Sequence, residues 1–152
     1  MTRRDWHPTA RTMAFGALLA LAAPAVVALA QEEAGDEGAA LRVTEMLTTK
    51  ELLEGGAPGE RTETFAKSDG RIYCVIRVEN PSATETSIRV TFERAEGEPE
   101  AREGGLSLSI LATRRYRTVA RTSTAREPGR YRCVARTETG EVLQHVDFSV
   151  TE

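Results

Sequence analysis

The sequence predicts an all-β fold, a single antiparallel β-sandwich of about seven strands, on three observations. Between Leu41 and Val150 apolar residues recur at every second position in short runs, the period of a strand with one dry and one wet face. Turn-forming residues interrupt these runs at close intervals, the spacing of a sandwich rather than of strands joined by helical crossovers. Two cysteines, Cys74 and Cys133, each lie on the apolar face of their own run. No glycine-rich phosphate loop, heptad pattern or internal repeat interrupts the pattern.

The chain opens Met1-Thr2-Arg3-Arg4 and enters an apolar stretch from Met13 to Leu29 that closes on Ala28-Leu29-Ala30. A basic start, a short apolar run and small residues at a cleavage site make a secretory signal peptide over residues 1–30. The competing reading is a membrane anchor, but 17 residues broken by Pro24 sit at the lower limit for crossing a bilayer. No stable membrane span is therefore expected in the mature form. Thr2-Arg3-Arg4-Asp5-Trp6 resembles a twin-arginine export signal, although His7 and Pro8 stand between the arginines and the apolar run, and either export route stays open. No cysteine follows the cleavage site to carry a lipid.

Cleavage leaves 122 residues, Gln31 to Glu152, enough for one domain. Arg3, Arg4 and Arg11 against Asp5 take a net +2 away from the chain's −3, leaving −5. That balance makes no case for a nucleic-acid partner. The expected location is periplasmic or secreted, where cysteines can pair.

Residues 31–40 are acidic and carry no large apolar side chain, so they are expected to form a disordered leader. The sandwich occupies 41–152. Leu41-Arg42-Val43 starts the first strand and extends toward Leu47. Thr48-Thr49-Lys50-Glu51 fits a capping box, so Thr48–Glu54 is open between strand and short helix. Ile72, Cys74, Ile76 and Val78 share one face of a strand, with Tyr73, Val75 and Arg77 on the other, and Asn80-Pro81-Ser82 turns the chain. Ile88, Val90 and Phe92 line the next strand. Ala95–Gly105, with four glutamates, reads as a long exposed loop. Leu106, Leu108 and Ile110 follow, then Tyr116, Thr118 and Ala120, then Tyr131, Cys133 and Ala135. Glu138-Thr139-Gly140-Glu141 is a hairpin turn, and Val146, Phe148 and Val150 form the last strand. The aromatics Phe65, Phe92, Tyr116, Tyr131 and Phe148 fall to the core, leaving Tyr73 outside and no platform for a sugar ring.

Three chemistries compete for the cysteines. A Cys74–Cys133 disulfide would close about 60 residues and stabilise the fold by about 4 kcal/mol. A catalytic thiol, with Cys133 beside His145, needs an accessible sulfur with a depressed pKa, which a buried strand position does not offer. A metal site needs three or four ligands, and one mature histidine with two separated cysteines falls short. The loop carboxylates Glu96, Glu98, Glu100 and Glu103 lack the Asp/Asn spacing and glycine of a compact calcium loop. No cofactor and no catalytic constellation is expected.

Residues 114–136 hold eight arginines against one acid, Glu127. By alternation Arg115, Arg117 and Arg121 share an outward face, and so do Arg130, Arg132 and Arg136. Arg115, Arg117, Arg121, Arg130 and Arg132 are candidate anion-binding residues, for a polyanionic glycan or a lipid headgroup. The plain alternative is a solvated face in a chain whose cations are 18 Arg to 2 Lys.

Glu127-Pro128-Gly129-Arg130-Tyr131-Arg132-Cys133 is similar to the acid-x-Gly-x-Tyr-x-Cys signature of immunoglobulin domains, in which the tyrosine two residues before the cysteine forms a structural corner. The resemblance implies an immunoglobulin-like strand order with Gly129 and Tyr131 at that corner; it also implies that the strands of Arg115 and of Arg132 lie on opposite sheets. Arg71-Ile72-Tyr73-Cys74, Arg114-x-x-Arg117-Thr118, Gly129-x-Tyr131, Gly140-Glu141-Val142-Leu143 and Phe148-Ser149-Val150 together resemble a bacterial family of exported or membrane-tethered domains of unknown function. That resemblance implies an envelope protein and assigns no catalytic residue. The expectation is a non-catalytic binding or structural module whose partner is an unidentified envelope protein or glycan.

Overall fold

The computed structural model describes residues 40–152. The expected signal peptide (1–30) and all of the leader (31–40) but Ala40 lie outside the described residues. Eight strands follow in order: β1 (Arg42–Thr49), β2 (Thr64–Ala66), β3 (Arg71–Glu79), β4 (Thr86–Arg94), β5 (Leu106–Ile110), β6 (Arg115–Ser123), β7 (Gly129–Arg136) and β8 (Val142–Thr151). They form a three-stranded sheet, β1-β3-β6, and a five-stranded sheet, β2-β8-β7-β4-β5. Every pairing is antiparallel except that of β2 with β8. Lettered in chain order A, A′, B, C, C′, E, F and G, the sheets are ABE and A′GFCC′, an immunoglobulin-like arrangement in which the bridged strands are B and F.

The strand beyond the expected seven is β2. Its three residues are too short to show a period, yet Phe65 at its centre is fully buried. The Thr48–Glu54 ambiguity resolves toward strand. Thr48 lies inside β1, buried, where its hydroxyl donates to the Thr62 carbonyl and its own carbonyl accepts from Thr62 N–H at 2.8 Å. Only a single 3-10 turn, Glu54–Gly56, follows.

The two inner faces meet in one core. Met46, Ile72, Cys74, Ile76, Val78 and Ala120 come from the smaller sheet. Phe65, Ile88, Val90, Ile110, Tyr131, Cys133, Ala135, Val146, Phe148 and Val150 come from the larger. Each fully buried Val, Ile or Phe contributes about 1.5–3 kcal/mol. The Cys74–Cys133 disulfide ties β3 to β7 across this core, with the Cα atoms 6.7 Å apart. An aromatic cluster fills part of this core, with Phe65, Phe92 and Tyr131 around Phe148 at ring-centroid distances of 5.9, 6.4 and 5.9 Å. The Tyr131 hydroxyl donates to the Glu127 carbonyl at 2.7 Å, which closes the corner that Pro128-Gly129 opens.

One strand breaks the expected rule of one wet face per sheet. Every residue of β7 from Tyr131 to Arg136 is buried, because the Ala95–Gly105 loop lies across the outer side of the five-stranded sheet. Arg102 N–H donates to the Gly140 carbonyl at 3.2 Å. The β7–β8 turn must be glycine at this point: Gly140 has φ +92°, and a Cβ there would stand 2.7 Å from the Arg102 carbonyl oxygen. The side chains of this loop are largely exposed, as expected, but its main chain forms a cover.

Candidate functional site

The sandwich has two outer faces, and they differ in what happens to their arginines. On the five-stranded sheet, Arg132 and Arg136 project away from the core, as alternation requires. They do not reach water: Arg132 is 5 % exposed and Arg136 is 0 %. The expectation that Arg132 and Arg136 form a solvated outward face is corrected here. The physical reason is that the covering loop supplies acceptors in place of water. Arg132 donates to the Glu96 carbonyl at 3.2 Å, to the Gly97 carbonyl and to Glu93 Oε1 at 3.1 Å. Arg136 donates to the Glu100 carbonyl at 2.9 and 3.1 Å, to Thr91 Oγ1 and to both Glu93 oxygens at 3.4 Å. Arg132 thus has three of its five N–H donors engaged, and its burial under the loop leaves no room for a bound anion to reach it. Arg130, further along the same face, is exposed and pairs with Asp147 at 3.3 Å.

Among the described residues Glu93 is the single carboxylate paired with both buried guanidiniums, and its side chain is 15 % exposed. It also accepts from Arg102 at 3.1 Å and from Thr91 at 3.2 Å. Burial pushes the Glu93 carboxyl up, but the Arg136 charge and hydrogen bonds from Arg132, Thr91 and Arg136 outweigh it and hold it below its ordinary value of 4.5. The unfolded chain therefore takes up this proton first as pH falls. The stability contributed by the carboxylate is complete above its ordinary value and is lost as pH falls through the depressed folded value. Asp69, hydrogen-bonded by Lys50 and by the Ala66 N–H, is likewise held low and acts with the same sign. Thermal melts between about pH 7 and pH 3 should show a loss of stability confined to the acidic end, and Glu93→Gln should flatten much of that slope. A melting temperature independent of pH across that range would contradict the assignment.

The outer face of the three-stranded sheet presents the opposite situation. Antiparallel register places Arg77 opposite Arg117, Tyr73 opposite Arg121, Glu79 opposite Arg115 and Arg71 opposite Ser123. Among the described residues two acids of these strands reach this face and both are engaged: Glu79 with Arg42 at 2.6 Å, and Glu45 with Arg77 at 3.0 Å. Among the described residues no carboxylate pairs with Arg71, Arg115, Arg117 or Arg121. Arg117 Nη2 donates to the Gly55 carbonyl at 2.8 Å, which brings the Glu54–Gly56 turn over the middle of the face, where outward-facing Val75 is only 2 % exposed. The arginines therefore form two groups. One borders a shallow cleft of about 530 Å³ lined by Thr44, Arg77, Val78, Glu79, Arg115, Tyr116 and Arg117. The other borders a smaller one of about 330 Å³ lined by Gly70, Arg71, Arg121, Thr122 and Ser123.

Of the five candidate anion-binding residues, Arg115, Arg117 and Arg121 share the smaller sheet, whereas Arg130 and Arg132 lie on the other. The strand order divides the basic plate, as the immunoglobulin-like arrangement implied. Arg71 and Arg77 were missed as members of the basic face. Both stand on the outward side of β3, but only the β3–β6 pairing reveals that they adjoin the β6 arginines. Cys133 is held in the disulfide and is unavailable as a nucleophile. His145, on the outer face of β8, has Asp147 at 4.0 Å. Among the described residues no three His, Cys, Asp or Glu side chains converge to hold a metal ion, and no helix is long and apolar enough to cross a membrane.

No protein family and no curated protein matches the chain. Solved structures with a similar chain path include the alkylpurine DNA glycosylase AlkC of Pseudomonas fluorescens (16 % identity, TM-score 0.48, covering 76 % of this chain and 32 % of that one). They also include a β-glucosidase involved in saponin metabolism from intestinal bacteria (11 %, 0.48, 74 % and 16 %) and a β-glucosidase of Kluyveromyces marxianus (12 %, 0.43, 74 % and 14 %). The chain spans a third or less of each. TM-scores this low carry no argument, and the fold assignment rests on the strand order and the bridge described above.

Proposed function

We propose that this protein is a non-catalytic module of the bacterial cell envelope, periplasmic or secreted, that works by binding rather than by chemistry. The disulfide supports a compartment in which thiols oxidise, in keeping with the signal-like start of the sequence. Cys133 is occupied, and among the described residues His145 has one acid nearby, Asp147, and joins no cluster of three His, Cys, Asp or Glu side chains, which supports a role without catalysis. The observation that carries the reading is the outer face of the three-stranded sheet, where Arg71, Arg115, Arg117 and Arg121 stand without carboxylate partners among the described residues. Arginines left in this way suit carboxylate, sulfate or phosphate groups.

Heparin and lipopolysaccharide resins supply the test. The protein should be retained at low salt and released as salt screens the contact. Arg115→Glu, Arg117→Glu and Arg121→Glu together should abolish retention, whereas Arg130→Glu should leave it nearly unchanged. Equal retention of the triple variant would remove this face from the account.

A further inference from the structure

β6 is the last strand of its sheet, and its edge is open. It pairs with β3 alone among the described residues. The ladder's phase can be read at its two ends, where Asn80 N–H donates to the Arg114 carbonyl at 2.8 Å and Thr124 N–H to the Gly70 carbonyl at 3.3 Å. Both pairs continue the β3–β6 register. Hydrogen-bonded pairs alternate in an antiparallel ladder, so Tyr116, Thr118, Ala120 and Thr122 bond to β3. The intervening residues turn their N–H and C=O groups outward. At the ends these outward groups are partly used, since Thr113 Oγ1 donates to the Arg115 carbonyl at 3.0 Å and Arg126 Nε to the Ser123 carbonyl at 3.2 Å. Between them, Arg117, Val119 and Arg121 offer a free edge.

The same three residues place their side chains on the basic face, so one short segment combines unused main-chain bonds with unpaired charge. An open edge invites strand addition, and its side chains decide which strand is admitted. A second copy of β6 added antiparallel about Val119 would set Arg117 against Arg121 twice, and like charges directly opposite are destabilising. A strand carrying carboxylates at those two positions gains where the copy loses, which is selection by repulsion as well as attraction.

We propose that β6 accepts, antiparallel, an extended acidic segment of a partner protein. Its carboxylates stand opposite Arg117 and Arg121, and an apolar residue stands opposite Val119, giving the pattern acid-x-apolar-x-acid. This rests on the binding-module reading and names its partner class.

The probe is the synthetic peptide Thr-Glu-Thr-Val-Thr-Glu-Thr, titrated into the purified protein by calorimetry with heparin as a parallel arm. The peptide should bind and should protect the Arg117, Val119 and Arg121 amides from hydrogen exchange. N-methylation of its two glutamates and its valine, which removes the edge-bonding N–H groups, should weaken binding at least about tenfold. Arg117→Glu with Arg121→Glu should lose this peptide and gain the lysine version, Thr-Lys-Thr-Val-Thr-Lys-Thr. Equal binding of the methylated or a scrambled peptide would reduce the contact to charge attraction and overturn strand addition. Heparin binding without peptide binding would also overturn it while leaving the anion-binding face standing. Binding of neither ligand would sink both.

Discussion

Replacing Glu93 by glutamine is expected to destabilise the sandwich by about 3 kcal/mol, because two buried guanidiniums then share no counter-charge. Arg136 is fully buried and Arg132 nearly so, and neither can turn toward water without lifting the loop that covers it. The loop carbonyls of Glu96, Gly97 and Glu100 still accept hydrogen bonds in the variant, which keeps the loss near the lower end of the range for broken buried pairs. Urea unfolding measures it. The control is Glu45→Gln, which breaks a half-exposed ion pair with Arg77 and should cost no more than about 1 kcal/mol. Equal effects of the two substitutions would mean that the covered arginines are solvated after all.

Removing the bridge should have an effect of similar size. Cys74 and Cys133 are 59 residues apart in sequence, and releasing that loop in the unfolded chain costs the native state about 4 kcal/mol. Against a total of roughly 5–15 kcal/mol for a small domain, the paired Cys74→Ala and Cys133→Ala variant should be close to unfolding at ambient temperature. Both half-cystines are fully buried, so reductant should act on the native protein only as fast as it opens. A denaturation midpoint unaffected by reductant in unfolding buffer would contradict the contribution assigned to the bridge.

Much of the architecture was legible because it rests on local signals. Ile72, Cys74, Ile76 and Val78 state which way β3 faces without reference to any other strand, and Tyr131 two residues before Cys133 marks the corner. The features that escaped depend on partners distant in the chain. β2 is recognisable only by its place beside β8. Alternation shows that Arg132 and Arg136 point away from the core, but not that the main chain of residues 95–105 lies over them. The candidate site divided along the same line. Arg115, Arg117 and Arg121 could be read from one strand, whereas Arg71 and Arg77 join them only through the register of β3 with β6.

Arg132 and Arg136 are spent internally on the larger sheet, where Glu93 and loop carbonyls hold them, whereas on the smaller sheet no carboxylate among the described residues pairs with Arg71, Arg115, Arg117 or Arg121. Isotope-labelled protein titrated with a heparin oligosaccharide and followed by amide chemical shifts tests that division most directly. The account predicts changes concentrated at Arg71, Arg77, Arg115, Arg117 and Arg121, with Glu93, Arg132 and Arg136 unmoved. Changes centred on the five-stranded sheet around Arg130 and Arg132 would contradict it.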